Sequence, residues 1–326
     1  MQQTDIDNAN VLIHIGCHKT ASSWLQERIF DNSELNFSAL HMPAAKEASS
    51  IRRLKSVAEM MLLKNASKQY LGPLHKPYED FSATFAGQKF ATDQTHVLSH
   101  ERLSGNPHSG GFDRVTNCLK LQEILPSAKI LMVFREQKTM IRSCYHQYIV
   151  AGGSLSLTSY MRMKYNSIVP TFNLEYFRYD DLFQLYAKSF GAENVLALPY
   201  EMFSQDPSAF LGQIQRFVGS DADMSHVDSK TKVNDRKNPW LLVKFRLLNR
   251  LVRQIDFFEI SKKRRSMAHL LSCAPGLENL KSTTILKRQE RREMNFIARE
   301  IEGFFTQSNQ NLEALSGISL PQYGYE

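Results

Sequence analysis

Glycine and proline are scarce in this chain of 326 residues, at 15 and 11, and neither a low-complexity stretch nor an internal repeat interrupts it. A disordered low-complexity chain and a repeat array are thereby excluded. Cysteine is scarcer still. Cys17, Cys118, Cys144 and Cys273 show no paired spacing of the kind that holds a metal or frames a disulfide-stapled fold. No apolar run approaches the ~20 residues of a membrane-spanning helix. The first ten residues are polar, carry Asp5 and Asp7 and lack a basic start, so they do not read as a secretory leader. A reduced, cytoplasmic setting is the expectation, and there Asn65-Ala-Ser is no glycan site.

What is present is an ordinary globular composition, 42% hydrophobic and 22% charged, enough for one large domain or a domain with an appendage. The formal net charge of +7 favours an anionic ligand or surface. No nucleic-acid module is visible, and the basic residues are not interleaved with stacking aromatics, so nucleic acid is not the expected partner.

Short apolar runs alternate with helical patterns. Val11–Ile15 reads as a buried strand ending at Gly16, and Trp24, Leu25, Ile29 and Phe30 then recur at helical spacing. Further strands are expected at Thr95–Ser99, Lys129–Phe134 and Asn194–Pro199. Helices are expected within Met42–Tyr70 and over Val115–Leu125, Lys138–Val150, Phe177–Phe190 and Pro207–Val218. This alternation predicts an α/β fold, a three-layer parallel sheet flanked by helices. The expected organisation is a single domain over residues 8–326. Its core covers 8–235 and a basic, helical C-terminal extension covers 236–326.

In such sheets ligands sit at the carboxyl ends of the strands. Gly16-Cys17-His18-Lys19-Thr20-Ala21-Ser22-Ser23-Trp24 lies between the first strand and helix. Backbone N–H groups at such a junction, the Lys19 ammonium and the Ser22 and Ser23 hydroxyls all suit a phosphate. For an isolated stretch, a plain helix start with a Ser cap is the simpler reading. A Walker A loop is not present, since Lys precedes the turn and no second Gly follows.

Lys19-Thr20-Ala21-Ser22-Ser23-Trp24 resembles the 5′-phosphosulfate loop of the sulfotransferases that use 3′-phosphoadenosine 5′-phosphosulfate (PAPS), Lys-Ser/Thr-Gly-Thr-Thr-Trp. It departs from that pattern at Ala21. Arg135, at the end of the Lys129–Phe134 strand, and Ser143, eight positions on, resemble the family's 3′-phosphate motif, with Gln137 where Pro is usual. Asn194–Glu201 with Asp206-Pro207 and Phe217-Val-Gly219 resembles its strand, Tyr-Glu, Asp-Pro and helix segment. This resemblance implies a P-loop-like nucleotide-binding core and PAPS as donor, bound by Lys19, Thr20, Ala21, Ser22, Ser23 and Trp24, by Arg135 and Ser143, and by Tyr200 near the adenine. No metal is expected.

The resemblance places the catalytic base at the end of the Thr95–Ser99 strand, where Glu101 is preferred and His100 is the alternative. Lys19 is the expected cation for the leaving phosphate, while His14 and His18 read as packing and loop residues. Glu101 paired with Arg102 or another cation is the purely structural alternative. The use of Glu, and a tail (Asn309–Tyr325) similar to that of some bacterial carbohydrate sulfotransferases, imply a glycan or glycoconjugate acceptor. Met42–Thr95 and the tail are expected to shape its pocket.

Two rival readings remain open at this stage. A P-loop-like kinase is the enzyme alternative. A membrane-surface binder is the other, since residues 240–265 form a basic amphipathic pattern that can lie on anionic lipid or pack on the core.

Overall fold

A computed structural model describes residues 9–17, 19–41, 45–59, 90–163, 171–224, 226–227, 246, 249 and 284–326; the side chains of 284–286 are not included. Five parallel strands form one sheet: β1 (Val11–His14), β2 (Phe37–Ala39), β3 (Thr95–Ser99), β4 (Lys129–Phe134) and β5 (Val195–Pro199), in the order β2-β3-β1-β4-β5. The register sets His14 opposite Ser99 on one side and Leu131 on the other.

Alternation along each strand sends successive side chains to opposite faces. Val11, Ile13, Ile130, Met132 and Phe134 enter one core cluster, and Leu12, Leu131 and Val133 enter the other. Burial on both faces is why these strands read as continuous apolar runs. The first face is covered by α3 (Arg114–Ile124), α4 (Gln137–Val150) and α6 (Tyr179–Phe190), the second by α1 (Ser22–Arg28) and α8 (Pro207–Val218). The remaining helices among the described residues are α2 (Ser50–Glu59), α5 (Leu157–Met161), α7 (Tyr200–Gln205), α9 (Thr284–Glu300) and α10 (Thr306–Ser316).

The C-terminal helices dock through polar clamps. Arg142 and His146 of α4 meet Glu293 of α9, each at 2.9 Å, and Arg142 also reaches Glu290 at 2.8 Å. Ser308 and Asn311 of α10 hydrogen-bond the buried Asp180 of α6.

Several boundaries shift from the expectation. Leu174–Phe177 and Ala192–Asn194 are 3₁₀ turns, so α6 starts at Tyr179 and β5 at Val195. Within Met42–Tyr70 the described helix is Ser50–Glu59. The expected helix over 240–265 lies outside the described residues except for Arg246 and Asn249. Those two hydrogen-bond the Tyr145 hydroxyl and the Ile149 and Gly153 carbonyls. No helix among the described residues is long and apolar enough to cross a membrane.

Candidate active site

Because all five strands run parallel, the segments leaving β1, β3, β4 and β5 emerge at one edge of the sheet. The β1 exit stays in register for three more residues, with Ile15 and Cys17 donating to Leu131 and Val133 carbonyls at 2.9 and 2.8 Å. It then turns through two left-handed residues, Lys19 (φ 64) and Ala21 (φ 59). Ala21 therefore adopts the conformation that a Gly takes without steric penalty, at ~1–2 kcal/mol for a residue with a Cβ.

Thr20 is buried and its hydroxyl donates to the Cys17 carbonyl at 2.6 Å, so that side chain closes the loop rather than facing a ligand. Trp24 is likewise buried, its ring on Phe203 at 4.8 Å. Lys19 is exposed. α1 starts without a side-chain cap, and the Ser22 hydroxyl is buried with no hydrogen-bond partner. A Cβ on Gly16 would sit 2.3 Å from His14 Nε2 and 3.2 Å from Ser22 Oγ, so Gly16 is needed for close approach. His18 lies outside the described residues.

Arg135 leaves β4 and reaches back over this loop. Its Nη1 donates to the Lys19 carbonyl at 3.3 Å, its Nε donates to Thr139 Oγ1 at 3.1 Å, and its guanidinium lies 5.1 Å above the Tyr200 ring. Among the described residues no carboxylate pairs with it. A guanidinium that is held by neutral groups at the carboxyl edge of a parallel sheet can take an anion. Ser143 is partly exposed on α4, one turn beyond Thr139 on the same helix face.

Glu101 follows β3 and forms an ion pair with Lys55 of α2, the Nζ at 2.8 Å from Oε2 and 3.1 Å from Oε1. Burial pushes the Glu101 carboxyl up, but Lys55, His100 and hydrogen bonding together outweigh it and hold the group at about 2. Burial pushes His100 down to about 4, opposed by Glu101 and helped by Lys55 and Arg102. His100 Nδ1 accepts from the Arg102 N–H at 2.9 Å and caps the 3₁₀ turn Glu101–Ser104. A neutral His100 therefore carries its proton on Nε2. Beneath them, Gln26 donates to Ser99 Oγ at 2.9 Å, which lies 2.7 Å from His14 Nδ1. This network ties α1 to the strand end that carries Glu101. Burial lowers His14 to about 3, with Glu101 opposing and Lys55 adding, so His14 is a neutral core residue.

The family model described as the sulfotransferase family matches residues 15–224, well over half of the chain, and includes Lys19, Glu101, Arg135, Ser143 and Tyr200. The chain belongs to the sulfotransferase family. Members of that family draw the sulfuryl group from PAPS. A sulfotransferase from Alicyclobacillus acidocaldarius shares the fold, with a TM-score of 0.51 at 14% identity over 97% of this chain and 98% of that one. The sulfotransferase domain of the Synechococcus PCC 7002 olefin synthase gives a TM-score of 0.38 at 13% identity, covering 82% of this chain and 95% of its own. Mouse sulfotransferase SULT7A1 complexed with PAP gives 0.35 at 13%, covering 91% and 88%. No curated protein sequence matches. None of these matches supports the kinase alternative.

In this sulfotransferase, sequence reasoning did not single out Lys55, the partner of Glu101, or Thr139, the partner of Arg135. Lys55 is one of 40 Lys and Arg residues, and nothing near it marks it as the partner of Glu101. Thr139, four residues after Arg135, carried a local signal: on a helix following the strand end, that spacing puts a hydroxyl within guanidinium reach. Among the described residues no cluster of three or more His, Cys, Asp or Glu side chains is arranged to hold a metal.

Proposed function

We propose that this sulfotransferase transfers the sulfuryl group of PAPS to a hydroxyl or amine of a carbohydrate or glycoconjugate. The donor site lies at the strand ends and is formed by Lys19, Ser22, Ser23, Arg135, Ser143 and Tyr200. The observation that carries the donor half is Arg135, a cation with no carboxylate partner among the described residues, poised between the Lys19 loop and the Tyr200 ring. Arg135 and Ser143 hold the 3′-phosphate, Tyr200 flanks the adenine, and Lys19 with the Ser22 and Ser23 hydroxyls receives the 5′-phosphate. Thr20, Ala21 and Trp24 shape that loop through backbone and packing.

Sulfuryl transfer resembles phosphoryl transfer, in that positioning and charge stabilisation do most of the catalysis. Charge develops on the leaving phosphate, and Lys19 supplies the matching cation. Glu101 is the proposed base for the acceptor proton. In the resting arrangement Lys55 suppresses its basicity, so Glu101 works when the acceptor displaces the ammonium from the carboxylate. His100 is the weaker choice, because its Nδ1 lone pair is already used by the Arg102 N–H. The carbohydrate half of the reading rests on the Glu at this strand end and on the tail resemblance. A transfer screen with labelled PAPS against glycan, lipid and phenol panels tests it. Label on glycans is the expected result, and label only on phenols overturns it.

A further inference from the structure

The segment around Arg135 is held from behind by residues of the chain's last turn, far away in sequence. Glu201 Oε1 accepts from the Glu136 N–H at 3.2 Å, while Glu201 Oε2 accepts from the Tyr325 hydroxyl at 3.0 Å. The Tyr325 ring is buried edge-on to Phe134, with centroids 5.7 Å apart, and Phe134 in turn meets Tyr179 at 5.3 Å. Tyr179 donates its hydroxyl to the Arg135 carbonyl at 2.7 Å. Gln137 donates to Asn309 at 2.7 Å, Asn309 donates to the Glu326 carbonyl at 2.6 Å, and Lys138 pairs with the Glu326 carboxylate at 2.7 Å. Every residue from Phe134 to Lys138 thus has a partner on α6, α7 or the segment 309–326.

Glu201 is the sensitive member of this set. It follows Tyr200, whose ring carries the Arg135 guanidinium, and its carboxyl lies within the field of that cation. Both of its oxygens are engaged elsewhere, by the Glu136 N–H and the Tyr325 hydroxyl. Burial raises its carboxyl while the backbone donors, Tyr325 and the field of Arg135 oppose that rise. Loss of the Tyr325 hydroxyl leaves Oε2 a half-buried oxygen without that donor. Arg135, whose field already reaches this carboxyl, is a donor the freed oxygen can turn to.

We propose that Tyr325 is a positioning residue for the 3′-phosphate site: it locks Glu201 onto the Glu136 N–H and so keeps Arg135 free for phosphate. The inference rests on the assignment of Arg135 to the 3′-phosphate. PAP and AMP differ only in that phosphate, so the ratio of their dissociation constants reports on the site and cancels general losses of stability.

Both ligands are titrated calorimetrically into the full-length wild type, Tyr325→Phe, Arg135→Ala and Ile124→Val. The last variant trims a buried core residue away from the site. Tyr325→Phe should cut the preference for PAP over AMP about 3- to 10-fold, as expected for one lost hydrogen bond. Ile124→Val should leave the preference unchanged. In a Glu201→Gln background, where no carboxylate competes, Tyr325→Phe should no longer lower the preference. A preference within twofold of wild type in Tyr325→Phe, while Arg135→Ala collapses it, overturns the inference alone. An unchanged preference in Arg135→Ala overturns the Arg135 assignment and this inference with it. Should Tyr325→Phe not fold, Asn309→Ala releases the same segment, and an unchanged PAP preference there has the same consequence.

Discussion

The guanidinium of Arg135 donates to the carbonyl of Lys19 across 3.3 Å, joining two segments 116 residues apart in sequence. One sits at the exit of β1 and the other at the exit of the neighbouring β4, so the parallel sheet itself makes the meeting inevitable. A nucleotide with phosphates at both its 5′ and 3′ positions needs two such cationic stations held at fixed separation.

Removing the second station should discriminate between nucleotides. Arg135→Ala deletes a charge-assisted contact and should weaken PAP binding by ~1.5–3 kcal/mol. Adenosine 5′-phosphosulfate, which lacks the 3′-phosphate, should bind almost as before. Titration of both ligands checks this, and equal losses for the two would place Arg135 elsewhere.

The ion pair between Lys55 and Glu101 has a pH signature. The folded carboxyl lies at about 2, below its ordinary value of ~4.3 in an unfolded chain. A depressed carboxylate stabilises the fold above its unfolded value, and that contribution fades as pH falls toward the folded one. The melting-temperature gap between wild type and Lys55→Met should therefore be widest near neutrality and close between about pH 5 and pH 2. A gap that stays constant through that window would remove the pair as the cause.

Base and cap separate on turnover. Glu101→Gln keeps the size of the side chain but not its basicity, and should lower turnover ~10²–10⁴-fold with PAP affinity nearly unchanged. His100→Ala should cost about 1 kcal/mol of stability through the lost cap, with most turnover retained. Lys19→Ala should impair donor binding and turnover together. Full turnover in Glu101→Gln combined with none in His100→Ala reverses the assignment.

The loop carries a conformational test. Ala21→Gly relieves the left-handed strain of ~1–2 kcal/mol but loosens the unfolded chain by ~0.4–1 kcal/mol, so the net change is neutral to a gain of ~1.6 kcal/mol. Gly16→Ala should instead destabilise by ~1–3 kcal/mol, because the new methyl overlaps the buried His14 ring. Denaturant unfolding of the two variants checks the contrast, and a stabilising Gly16→Ala would contradict it.

Much of the core was legible because buried parallel strands spell themselves out: Lys129–Phe134 and Thr95–Ser99 were read to the residue. The Phe37–Ala39 strand was not, since three residues are too few to show a period. Arg135, Lys19 and Tyr200 were legible as strand-exit residues with a family pattern. The partnership of Glu101 with Lys55 was not, because it depends on how α2 packs against β3. The same holds for Tyr325, whose partner lies 124 positions away. For Thr20 and Trp24 the motif records which residues recur, not which way their side chains turn, and both side chains are buried.

The most direct test is the donor site itself, measured by calorimetric titration of PAP and ATP into the wild-type protein under matched conditions. PAP should bind, and raise the melting temperature by mass action, while ATP does so far more weakly because it places no phosphate at the 3′ position over Arg135. Equal affinity for the two nucleotides would contradict the account.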